Sequence, residues 1–191
     1  RSNYLFRSNT VIGDFMSGSV GDNTARASGV IASAGGGGKV LQIVQMIKTD
    51  TTSYSSSPWA QISGYNKAIT PTAAGSSFVV QWAITCSNYP MGSLFLDIDG
   101  AGYNQLTNYI GDAGGSRTRA TTFQGNSGQA MLLSGTVLDT PSYTLTDVLT
   151  YEMRFGSYTG NSSYLNRSQG DSDTYYVGRP VSSITIWEIA A

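Results

Sequence analysis

Tyr158, Tyr164, Arg167, Tyr175 and Tyr176 fall in one polar, turn-rich run, FGSYTGNSSYLNRSQGDSDTYY. Exposed tyrosine beside Asn, Ser and Arg suits contact with a sugar or a protein, because one ring offers apolar area and a polar tip. The plainer alternatives are a tyrosine-capped loop or a contact between subunits. Catalysis is harder to assemble from this chain. It has no histidine and a single cysteine, Cys86. Ser-His and Cys-His nucleophile pairs therefore lack a member, and so do zinc sites. Cys86 lies in the alternating run SFVVQWAITCSNYP and reads as a buried, inert thiol. With no second cysteine there is no intrachain disulfide, which fits assembly in a reducing cytosol.

The carboxylates come next. LFLDIDG sets Asp97 and Asp99 two apart, hence on one face of a strand, where they could serve acid–base work or a metal. A calcium loop needs further oxygens at set positions beyond Asp99-Gly100, and they are missing. Asp99-Gly100 by itself is a strong hairpin-turn pair. QGDSDTYY repeats the spacing with Asp171 and Asp173 and reads as an exposed acidic loop, with a loosely bound cation as the alternative. Glycoside hydrolysis needs two carboxyl groups facing each other across a sugar. The glutamates are Glu152 and Glu188; Arg154 shares a strand face with Glu152, so a surface ion pair accounts for it. The reading is of no catalytic residue, no metal and no cofactor.

Gly35-Gly36-Gly37-Gly38-Lys39 looks like a phosphate loop. That loop has fixed spacing: Gly, four residues, then Gly-Lys and Ser or Thr. Here Ser33 stands at the first glycine position and Val40 replaces the hydroxyl. The loop should also open a helix, whose N-terminus helps to hold the anion. This one leads into KVLQIVQMIKT, which alternates as a strand. A flexible joint is the better reading.

These groups must be positioned by β structure. From Lys39 onward short apolar runs alternate with Gly, Pro and Asp turns. Strands are expected in KVLQIVQMIKT, WAQISG, NKAIT, SSFVVQWAITCS, GSLFLDIDG, QLTNYIG, RTRATTFQG, QAMLLSGTVLD, LTDVLTYEMRFGSY, SYLNRS and SSITIWEIA. In LTYEMRF, Leu149, Tyr151, Met153 and Phe155 share one face and Thr150, Glu152 and Arg154 the other, as in a half-buried antiparallel strand. No window sustains apolar residues at i, i+3, i+4 and i+7. The expected fold is all-β: an antiparallel two-sheet sandwich, jelly-roll-like, over residues 39–191. Residues 1–38, rich in Gly, Ser, Asn and Ala, read as an extended N-terminal arm and linker.

Composition narrows the function classes. Charged residues are 12% of the 191, against about 25% in an average soluble protein, and the net charge is −1. That is no nucleic-acid footprint. No apolar run reaches the roughly 18 residues of a membrane span, and no secretory leader is visible. Solubility rests on neutral polar groups, and sparse charge leaves neutral faces free to pack.

Two stretches near the start of the β region, GGGGKVLQIVQMIKTDTTS and AITPTAAGSSFVVQWAI, carry a resemblance, as do LDTPSYTLTDVLTYEMRFGSYTGNSSYLNRS and SSITIWEIAA at its end. Together, over roughly residues 36–191, the chain resembles a β-sandwich module in virion proteins of tailed bacteriophages, cyanophages especially. The resemblance implies a non-enzymatic virion component, often trimeric, on a tail fibre or the capsid surface; it transfers no catalytic residue. The resulting expectation is a virion surface protein made in the host cytoplasm. It would be a homotrimer, joined to other virion proteins through residues 1–38 and binding a host surface glycan. A capsid decoration protein is the alternative, and a complete chain without a fibre shaft would favour it. A free carbohydrate-binding module and a glycan depolymerase are the further ones.

Overall fold

The computed structural model describes residues 38–55, 59–125, 128–157, 161–175 and 177–191. The arm, with Ser33 and Gly35 to Gly37 of the glycine run, lies outside the described residues.

The domain is a two-sheet antiparallel sandwich. In the first sheet β1 (Val40–Lys48), β11 (Ser182–Ile189), β4 (Ser77–Ser87) and β8 (Met131–Asp139) lie side by side in that order. The short strand β10 (Ser163–Leu165) takes over beside β4 at Cys86 and Ser87, past the start of β11, and β2 (Thr52–Tyr54) pairs with β10. In the second sheet the order is β3 (Asn66–Ile69), β9 (Leu149–Ser157), β5 (Pro90–Ile98). Two short strands, β6 (Asn104–Gln105) and β7 (Thr122–Phe123), share the far edge of β5. The chain crosses between sheets from β3 to β4 to β5 and again from β7 to β8 to β9. The order 1-11-4-8 over 3-9-5-6/7 is that of two Greek keys, a jelly roll.

Alternation decides which side faces in. Phe78, Val80, Trp82 and Ile84 of β4 meet Tyr151, Met153 and Phe155 of β9, with Leu94, Leu96, Ile184 and Ile186 around them, all buried. Each such side chain stabilises by about 1.5–3 kcal/mol. Gly135 of β8 makes room for Trp82, its cross-strand partner: a Cβ there would stand 2.3 Å from the indole ring. Cys86 is buried, and burial pushes its thiol up to about 12, as an inert thiol requires.

Two expected strands are cut short by turns, RTRATTFQG pairs only at Thr122–Phe123, and one strand, β2, is not among those expected. WAQISG forms only a bridge, Ala60 to Phe155, because Trp59 is left-handed (φ 58°) and the chain turns again with Tyr65 N–H donating to Ile62 O. In QLTNYIG the strand stops at Gln105 and a 3-10 turn, Thr107–Tyr109, follows. β2 has no apolar alternation to announce it and is held by pairing with β10. Asp97 and Asp99 also do not share a strand face. β5 ends at Ile98, and Asp99 (φ 57°) with Gly100 (φ 76°) makes a hairpin turn of type I′ closed by Ala101 N–H to Ile98 O at 3.0 Å. Asp97 Oδ1 accepts from Gly102 N–H at 2.7 Å and so braces the turn.

Candidate functional site

The connection from Leu165 to Ser182, between β10 and β11, carries most of the residues expected to bind. Its root is fixed by Asn166, which is buried and left-handed (φ 56°). Asn tolerates that conformation better than most residues because its short side chain bonds locally. Its Nδ2 donates to Lys48 O (2.9 Å) and Asp50 O (3.0 Å), and its Oδ1 accepts from Ser182 Oγ (2.6 Å). Ser182 Oγ in turn accepts from Thr85 N–H at 3.0 Å, and Asn166 N–H donates to Thr85 O at 2.8 Å. Three strand ends are thus tied through one amide.

Tyr164, in the middle of β10, is half-buried, and the Arg167 guanidinium lies over its ring at 4.1 Å. Arg167 also faces Asp171, at 3.4 Å, and Arg179 reaches the same carboxylate at 2.8 Å. Asp171 is therefore not a freely exposed loop acid: two arginines clamp it, and the trio carries one net positive charge. Asp173 is exposed. Tyr175 is on the same connection and fully exposed. Tyr158 and Tyr176 lie outside the described residues. The structure therefore brings Tyr164 and Arg167 together.

Beside this cluster opens a cleft of about 520 Å³, a size that suits a small-molecule or sugar subsite. Thr85, Ser168 and Arg179 line it, with Leu132, Val177 and Pro180 as apolar walls. Hydroxyl and guanidinium donors between apolar surfaces can hold a polyhydroxylated ring. Sequence reasoning missed Thr85, Leu132, Ser168 and Arg179. Thr85 and Leu132 come from β4 and β8, far away in the chain from Ser168 and Arg179.

The carboxylates that could have formed a hydrolytic pair are apart. Glu152 is not a surface residue: it is 1% exposed. It lies on the outer side of β9, beneath Gln61, whose Nε2 donates to it at 2.9 Å. Arg154 pairs with Glu152, and its guanidinium is bracketed by the rings of Phe95 and Tyr103, each at 4.8 Å. Glu188 points the other way, into the sandwich from β11. Its carboxylate accepts from Thr72 N–H (2.9 Å), Ala73 N–H (3.1 Å), Thr72 Oγ1 (2.8 Å), Ser76 Oγ (2.8 Å) and Gln42 Nε2 (2.7 Å). Burial acts to raise its pKa, but the hydrogen bonds from Gln42, Thr72 and Ser76 outweigh it and hold the carboxyl below the usual range. The second sheet separates the two glutamates, so they share no cleft. Among the described residues no three Asp, Glu or Cys side chains cluster to hold a metal.

No protein-family model matches the chain, and no curated protein matches it.

Proposed function

We propose that this chain is a non-enzymatic surface protein of a bacteriophage virion, an adhesin module of the tail-fibre kind that holds a host-surface glycan in the cleft beside Arg179. The observation that carries the reading is the two-ended layout. Gly38 N–H donates to Ala190 O at 3.0 Å, so the chain enters the sandwich beyond the C-terminal end of β11. The cleft lies beyond Ser182, at the other end of that strand. The 8 residues of β11 span roughly 26 Å. The junction at Gly38 and the cleft therefore lie at opposite ends of β11. The resemblance over residues 36–191 supports the virion context, and the sparse charge fits recognition of neutral sugars through hydroxyls and rings.

The test is binding of the labelled full chain to an array of bacterial surface polysaccharides, beside Arg179→Ala and Tyr175→Ala. Saturable binding, weakened at least tenfold by Arg179→Ala with circular dichroism unchanged, is expected. Particle-associated protein, found on heads by electron microscopy and binding no glycan, would replace the reading with capsid decoration. Release of reducing ends, abolished in Glu152→Gln or Asp97→Asn, would replace it with a depolymerase. Glycan binding with no association with particles would make the chain a free carbohydrate-binding module.

A further inference from the structure

The outer face of the first sheet carries no charge across its four long strands. Cross-strand pairing sets Ile43, Trp187, Val79 and Leu138 side by side in one row. The next row is Gln45, Thr185, Gln81 and Thr136, and the third is Ile47, Ser183, Ala83 and Ser134. Ile43 is 58% exposed and Leu138 55%. The second sheet differs: its outer side carries Glu152 and Arg154, and residues of the 59–65 and 99–105 connections lie over them. The outer strands of the first sheet, β1 and β8, are 9 residues each. Neither has a proline, and their only charges are the buried Lys48 and Asp139 at their ends. Sheet edges exposed to solvent are commonly guarded by lysine, proline or bulges. β8 has none of these, and β1 has only a shift in register near Val40.

We propose that this face is where a second copy of the chain packs, sheet on sheet. Self-pairing follows from the pattern of the rows. A two-fold axis lying along the strands, in the plane of contact, lays each row on its own copy reversed. The apolar row meets the apolar row, with the Ile43 end over the Leu138 end. The Gln and Thr row meets itself, so amides and hydroxyls find donors and acceptors. An uncharged face pays no repulsion against its own copy, whereas it offers nothing to a charged partner. The area suffices. Four strands about 4.8 Å apart and seven residues at about 3.3 Å give a flat footprint of roughly 440 Å² per copy. Side-chain relief brings the total for two copies to about 1,000 Å², the size at which specific interfaces begin. These rows do not line the cleft, although its Thr85 and Leu132 form the next row of the same face, so the contact adjoins it.

Light scattering of the full chain across micromolar to hundred-micromolar concentrations tests it. The two-fold contact predicts two copies, or an even multiple, of the 20.2 kDa chain. Ile43→Lys with Leu138→Lys should return it to the single-chain mass with the circular dichroism unchanged. Ala68→Lys, exposed on β3 of the second sheet, should leave it assembled. If the double variant loses its β signal, Gln81→Glu serves instead: it sets like charges across the contact and should dissociate the assembly at low salt. A wild-type protein that stays at the single-chain mass overturns the proposal, as does an assembly that the face substitutions do not move.

Discussion

Replacing Glu188 by glutamine tests whether one buried carboxylate closes the end of the sandwich where Gly38 enters. Glu188 is 0% exposed, and its carboxylate accepts from Gln42, Thr72, Ala73 and Ser76. Glutamine keeps the shape but turns one acceptor into a donor. The Thr72 hydroxyl can rotate and Gln42 can turn its amide, although Gln42 Nε2 would then give up its bond to Thr70 O at 2.6 Å. The backbone N–H groups of Thr72 and Ala73 cannot adapt, and they lose a charged acceptor. One buried donor left unmatched costs about 1–3 kcal/mol, and weakened charge assistance adds to it. We expect Glu188→Gln to destabilise the protein by about 2–4 kcal/mol, a fall in Tm of roughly 5–15 °C for a chain of this size. The pH dependence has a fixed sign. The folded carboxyl is held below its ordinary value, so its stabilisation is complete above the unfolded pKa of about 4.3 and is lost as pH falls through the lower folded pKa. Thermal or urea melts of both proteins at pH 7 and pH 3 measure it. The gap between them should be wide at pH 7 and narrow at pH 3. A Glu188→Gln protein within about 0.5 kcal/mol of wild type at pH 7, or a gap that does not change with pH, refutes the account.

Two further substitutions read the core. Gly135→Ala drives a methyl into the Trp82 ring, 2.3 Å from its nearest atom; overpacking of about 1–3 kcal/mol exceeds the 0.5–1 kcal/mol that Ala gains over Gly in a strand, so a net loss is expected in urea melts. Trp82→Leu in the same chain should recover part of that loss, and strict additivity of the two would contradict the contact. Cys86, with its thiol pushed up to about 12 by burial, should stay unreactive to aromatic disulfide reagents at pH 8 and react fully in denaturant; rapid reaction in the native protein would count against its burial.

What the sequence made legible was local. The alternation in SSFVVQWAITCS, QAMLLSGTVLD, LTYEMRF and SSITIWEIA locates β4, β8, β9 and β11, and it gives their inward faces, because a strand's two sides are written in its own period. Asp99-Gly100 announces its turn for the same reason. What stayed hidden depends on residues distant in the chain. Glu152 looks like a surface acid until Gln61 and Tyr103 cover it from two other connections. Asp171 looks like an exposed loop acid until Arg167 and Arg179 close on it. Tyr164 and Arg167 share one polar run, but their stack shows only in the fold; Thr85, Leu132 and Arg179 gave no hint of a shared cleft. The rows across the first sheet need four registers at once, and no single strand shows them.

The scarcity of charge looks different once the paired charges of the sandwich are placed. Lys48 holds Asp50 and Ser63 O beneath the end of β1. Asp139 accepts from Tyr151 Oη at 2.8 Å, Glu152 pairs with Arg154, Glu188 gathers the 72–76 turn, and Asp171 is clamped by two arginines. These side chains tie connections to the sandwich instead of spreading over its surface. Neutral faces follow from that use. A chain that spends its carboxylates on fixing loops must stay soluble through Ser, Thr, Gln and Tyr, and such a surface gives a sheet face no charge to repel its own copy. The internal ion pairs and the uncharged outer rows are therefore two consequences of one distribution. Substituting lysine into the rows should separate copies without loosening the loops, while Glu188→Gln should loosen a loop and leave the rows intact.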